Sequence, residues 1–150
     1  MHKPIPNLKK RKKARQLAMQ ALYQWHFSQL SLQDLILQFL DDIDNNKIDV
    51  DYFKNALNQV LVNKEKIDQT MAEYLDREID ELNPVELSIL RLAMYELMYR
   101  LDIPYRVVIN EAVQLGKDFG SVEGYKYING VLDAAGKKLR AAEHHEGLAH

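Results

Sequence analysis

The stretch from Asn83 to Leu101 constrains this 150-residue chain more than any other. It opens as a helix should. Asn83 can accept from the unpaired first-turn amides, Pro84 brings a preset φ and no N–H to waste, and Glu86 at the third position can reach back to the cap. Val85, Leu87, Ile89, Leu90, Leu92, Met94, Leu97 and Met98 then fall on nearly every side of the helix. A helix that is apolar all round must be surrounded by others, so the rest of the chain has to wrap it. Asp102-Ile103-Pro104 stops it, because the residue before a proline is pushed out of the helical region.

The flanking sequence supplies the wrapping. Residues 8 to 29 carry Ala14, Leu17, Ala18, Ala21, Leu22 and Trp25 at three- and four-residue intervals. Ser31 can cap a second helix, with Asp34 three residues on, and Asp44-Asn45-Asn46 ends it. A long helical pattern over 51 to 81, with a break near Asn63, carries Phe53, Leu57, Val60, Leu61, Ile67, Met71 and Leu75. Helical spacing returns over 104 to 118, Gly120 ends it, and Ser121 opens a last helix to about Arg140. Val107-Val108-Ile109 is too short a β-like run to overturn this reading. The expectation is an all-α fold: one domain over 1–140, six to seven helices in a compact bundle of two packed helical halves, and a polar, disordered tail over 141–150.

Charge is distributed unevenly. The net charge is −2, yet Lys3, Lys9, Lys10, Arg11, Lys12, Lys13 and Arg15 precede the first acid, Asp34. Crowded cations near a helix start oppose the helix dipole and one another, and a phosphate backbone would relieve both. A nucleic acid is therefore the expected ligand of this end. Residues 34 to 86 hold 14 acids and five bases, a face suited to a basic protein. The absence of cysteine removes disulfides, thiol catalysis and cysteine-based metal sites. No histidine pair has metal-ligand spacing, no glycine-rich phosphate loop is present, and no Ser or Thr stands with a plausible His and acid. The expectation is therefore no enzyme activity, no cofactor and no metal. No apolar run is long enough to span a membrane, and no apolar stretch follows the basic start as in a signal peptide. A cytoplasmic location follows.

Two further features invite function. Lys12, Arg15, Met19, Tyr23 and His26 lie roughly opposite the apolar stripe of the first helix, so Met19 and Tyr23 face either a covering helix or a partner. Around the 119–121 junction, Lys117, Lys126, Phe119, Tyr125 and Tyr127 interleave cations with aromatic rings, and rings stack on single-stranded bases. Phe119 and Tyr125 are assigned to the core and Tyr127 to the surface. Arg91 with Glu96, and Asn110 with Glu111, lie in apolar settings, where polar groups pair to hold helices together.

Several segments resemble the NusB transcription antitermination family. They are Lys13-Ala14-Arg15 with Gln20 to Trp25, Pro84-Val85-Glu86, Leu90 to Leu97, Ile103-Pro104, Val108 to Val113, Lys117 to Gly120, and Tyr127 to Asp133. The likeness spans about residues 8 to 135, and is poor over 41 to 52 and after Arg140. It implies a factor that binds single-stranded boxA RNA in nascent ribosomal transcripts. Its partners would be NusE, a small-subunit ribosomal protein, and RNA polymerase in the antitermination complex. It also implies RNA contacts at Lys9, Lys10, Arg11, Lys12, Lys13 and Arg15, and at Glu123, Lys126 and Tyr127. Glu123, which repels phosphate, would tune affinity. NusE contacts would fall on Tyr23, Asp80 and Glu86. Two alternatives stay open: a self-associating RNA-binding adaptor that is a homodimer when free, and a module related to those fused to ribosomal-RNA methyltransferases, without the catalytic domain.

Overall fold

The computed structural model describes residues 7–143. Among them are seven α-helices and no strand: α1 Leu8–Ser28, α2 Leu32–Asp41, α3 Val50–Val62, α4 Lys64–Ala72, α5 Pro84–Tyr99, α6 Tyr105–Phe119 and α7 Val122–Leu139. Short 3-10 turns at Asn45–Lys47 and Ile79–Glu81 lie in the α2–α3 and α4–α5 connections.

Helix α5 is the axle of the fold. Every residue from Leu87 to Leu97 is buried, and α1, α3, α4, α6 and α7 all pack against it. Helices α1, α2 and α3 form one packed group, and α6 and α7 pair on the other side of α5. Asn83 caps α5 as its sequence predicts, its Oδ1 accepting from Val85 N at 2.8 Å. Glu86 does something else. Its Oε1 lies where a Cβ on Gly124 would approach to 2.5 Å, so the first turn of α7 sits on the Glu86 carboxylate, which a larger residue at 124 would displace. Gly116 serves the α6–α7 crossing in the same way, since a Cβ there would come within 2.9 Å of Tyr125 Cβ.

Local sequence sets the other boundaries. Asn7, Ser31, Asp49 and Ser121 each accept from a first-turn amide of the following helix. The break at Asn63 is present, with its Nδ2 donating to Gln59 O at 2.9 Å. The helical pattern expected to reach residue 81 ends at Ala72 instead. Glu73 and Asp76, Asp76 and Asp80, and Glu78 and Glu81 would stand three or four apart on a continued helix, where like charges repel.

Buried polar groups tie the helices together. Arg15 Nε donates to Glu96 Oε2 at 3.0 Å, and Tyr52 OH donates to the same oxygen at 2.5 Å, joining α1, α3 and α5. Arg91 forks onto both oxygens of Asp68 at 3.0 Å, joining α5 to α4. The buried Arg140 guanidinium collects the carbonyls of Glu96, Leu97, Arg100 and Ile103 at 2.9–3.1 Å, closing the end of α5. The first three residues of the expected tail, 141–143, lie within the described part. Glu143 accepts from Tyr105 N at 2.8 Å and from Arg140 Nη1 at 2.7 Å, placing an anion at the start of α6, where Pro104 offers no side-chain cap. Residues 144–150, like Lys3, lie outside the described part.

Candidate RNA and partner surfaces

The basic run opens α1 but divides into two faces. Lys9, Lys12 and Lys13 are exposed and Lys10 is half-buried. None of these lysines forms an ion pair among the described residues. Arg11 turns inward, its Nη2 3.3 Å from Asp49 Oδ2 and its guanidinium 5.1 Å from the centre of the Tyr52 ring. Arg15 goes further in, with 5% of its surface exposed. Arg15, expected among the RNA contacts, is placed inside, with its charge paired to Glu96. Burial opposes that charge, but Glu96 and Tyr52 outweigh it and hold the Arg15 pKa above its ordinary value. Tyr52 is pushed the other way chemically, toward its neutral form, by burial and by the Glu96 carboxylate. The physical reason for the miss is geometric. Arg11, Arg15, Ala18 and Leu22 follow one another at helical spacing, and α1 is flanked by α2, α3 and α5, so its covered arc is wider than one apolar stripe. Met19 is buried for the same reason, whereas Tyr23 remains exposed.

Helix α6 links the exposed lysines to the junction region. Lys12 shares a small cleft with Gln16, Glu111, Gln114 and Asp118. Gln114 also borders a groove of about 470 Å³ between α6 and α7, where Asn110, Lys117, Tyr125, Lys126 and Asn129 meet. The Lys117 ammonium stands 5.3 Å from the centre of the Tyr125 ring. A charged rim, a ring face and three side-chain amides in one groove suit a nucleotide chain: phosphates on the lysines, a base on the ring, base edges on the amides.

The aromatic assignments change accordingly. Tyr125, expected in the core, is half-buried and lines this groove. Phe119, also expected in the core, is 36% exposed at the end of α6. Tyr127 is half-buried on another side, packed against the core. Its ring lies 4.4 Å from the Arg77 guanidinium, and its OH donates to Asp76 Oδ1 at 3.0 Å. Arg77 and then Tyr127 hold the Asp76 carboxyl below its ordinary value, while burial and Asp76 raise that of Tyr127. Glu123 is exposed in the first turn of α7.

Of the expected partner residues, Tyr23 is exposed and stacks edge-on against Phe27 at 5.1 Å, with Phe27 itself 63% exposed. Asp80 is exposed in the 3-10 turn before α5, and Glu86 is half-buried in the first turn of α5. Asp80 and Glu86 thus share one connection, while Tyr23 stands on α1. The sequence reading gave Asn110 to helix pairing, whereas it is exposed in the groove, and it missed Gln114, Asn129 and Arg77. Asn110 and Gln114 could have been found, because Asn110, Gln114 and Lys117 recur at helical spacing as a polar stripe on α6.

Fold and surface together define a class: an all-helical protein built around one buried helix, with a row of lysines, unpaired among the described residues, on its first helix. Residues 12–137 match the pattern of the NusB family. The chain is 53% identical over 134 residues to the transcription antitermination protein NusB of Pseudomonas fluorescens, covering 89% of this chain and 81% of that one. It is 49% identical over 130 residues to the NusB of Photorhabdus laumondii, covering 87% and 94%. Among solved structures, T. maritima NusB superposes with a TM-score of 0.77 at 28% identity, over 91% of this chain and 93% of that one. A crystal structure of antitermination factors NusB and NusE in complex with dsRNA superposes at 0.76 with 30% identity, over 85% and 96%. This chain belongs to the NusB family.

Proposed function

We propose that this protein is a transcription antitermination factor that binds boxA-type single-stranded RNA in nascent ribosomal transcripts as a heterodimer with NusE, within the RNA polymerase antitermination complex. The observation that carries the reading is its near-complete superposition on a NusB solved together with NusE and RNA. The surface fits the role. Lys9, Lys10, Lys12 and Lys13 and the α6–α7 groove offer cations and a ring face on adjacent helices, and Tyr23, Asp80 and Glu86 offer an aromatic anchor and two acids to a basic ribosomal protein. The protein acts by binding, without catalysis, and works in the cytoplasm beside polymerase. No described helix is long and apolar enough to cross a membrane.

The test is RNA binding by the purified protein, with and without NusE, to boxA RNA in single- and double-stranded form. Tighter binding of the single strand when NusE is present is the expected result. Equal binding with and without NusE, together with a dimer of the free protein in ultracentrifugation, would instead favour the self-associating adaptor.

A further inference from the structure

The lysine row of α1 does not stand alone. The α2–α3 connection folds back beside it, held by a backbone hydrogen bond from Asp49 N to Lys10 O at 3.2 Å and by the Arg11–Asp49 ion pair. Between the two lies a cleft of about 370 Å³ lined by Asn7, Lys9, Lys10, Lys13, Asn46 and Lys47. Four of its six walls are cations and none is an acid. The acids nearest Lys47 in sequence are already engaged. Asp44 Oδ1 accepts from Asn46 N at 3.0 Å, and Asp49 accepts from Tyr52 N and faces Arg11. Lys47 itself is exposed and forms no ion pair among the described residues.

We infer that this cleft is a phosphate-binding extension of the RNA surface, with Lys47 as a further RNA-binding residue. It rests on the RNA-binding reading above and adds to it a stretch of backbone track. Lys47 is one of only five bases in an otherwise acidic region, and the sequence reading left it with the partner-facing side. The fold moves it to the opposite camp. Four unneutralised ammonium groups around one cleft raise the local positive potential and attract a polyanion. The occupant is the RNA backbone rather than its bases, because the cleft offers no aromatic wall on which a base could stack. The charge pattern also marks where the track stops. An adjoining cleft shares Lys13 and Lys47, but Asp42 and Asp44 form its far side and turn phosphate away.

The experiment measures binding of boxA RNA, in the presence of NusE, over a salt series. It uses the wild type, Lys47→Ala, Lys47→Glu and, as a control outside both clefts, Lys54→Ala on the exposed side of α3. Losing one phosphate contact should reduce the salt slope by about 0.7 for a single strand. Lys47→Ala is expected to show that flatter slope with several-fold weaker binding, and Lys47→Glu a larger loss. Lys54→Ala should match the wild type, and all four proteins should melt together. Extending the RNA beyond boxA at the end facing the turn should strengthen wild-type binding and not that of Lys47→Ala. Lys47 variants that bind like Lys54→Ala overturn the inference and leave the RNA reading standing. A wild type that does not bind overturns both.

Discussion

Two neighbouring cations on α1 stand in opposite settings, and single substitutions should separate their effects. Arg15 is buried on Glu96 and Lys12 is exposed, three residues away. Removing one member of a buried pair strands the other and costs about 3–5 kcal/mol. Arg15→Ala is therefore expected to lose stability on that scale in urea unfolding. Lys12→Ala should stay within about 0.5 kcal/mol of the wild type, while flattening the salt dependence of RNA binding by about 0.7. If Arg15→Ala keeps full stability and flattens the slope instead, its charge is not committed to Glu96 in solution. The sequence could not distinguish the two residues, because a run of cations says nothing about which helix will cover which side. The partner of Arg15 lies 81 positions away.

At the scale of the element, α7 carries two tyrosines that face different neighbours. Tyr125 looks into the α6–α7 groove, and Tyr127 is tied to Asp76 and Arg77 before α5. Tyr125→Ala should weaken RNA binding by about 1–3 kcal/mol if a base stacks there. Phe119→Ala should cost less stability than the roughly 3–5 kcal/mol of a fully buried Phe, since a third of its surface already meets solvent. Unchanged RNA binding by Tyr125→Ala would return the stacking role to Tyr127. The Asp76–Tyr127 link makes its own pH forecast. A carboxyl whose folded pKa is depressed contributes stability above its unfolded value, and that contribution disappears as pH falls through the folded one. The link should therefore hold at neutral pH and open in acid, below the ordinary carboxylate range. NMR titration of the tyrosine ring carbons reads the other partner. Asp76→Asn should lower the Tyr127 pKa toward its ordinary value, and an unmoved value would mean that burial alone raises it. Helix boundaries were legible from caps such as Asn83 and Ser31, whose chemistry is local. The aromatic assignments were not, because a two-residue step along a helix turns a side chain through about 200° and its surroundings are set by distant elements.

For the whole molecule, the sequence reading reached the all-helical fold and its central helix, since these follow from periodicity and composition. It placed Lys47 on the acidic side, because charge summed along the chain cannot show where a loop folds back. The division into faces predicts how partners separate. Tyr23→Ala should weaken NusE binding chiefly through faster dissociation, as aromatic anchors do. Glu86→Gln should slow association most at low salt. Surface plasmon resonance at two salt concentrations reads both, and wild-type behaviour by both variants, with normal folding, would remove them from the interface. Arg140 has a consequence of another kind. It closes the last turn of α5 from across more than 40 positions, and Arg15 fastens α1 to α5 from across 81. The core helix therefore cannot be fully enclosed until the very end of α7 exists. During synthesis the lysine-rich beginning emerges first, and Arg15 must wait for α5 before it meets Glu96. The nascent chain thus offers its cations to the RNA-rich surroundings of the ribosome before it has a finished fold to hold them.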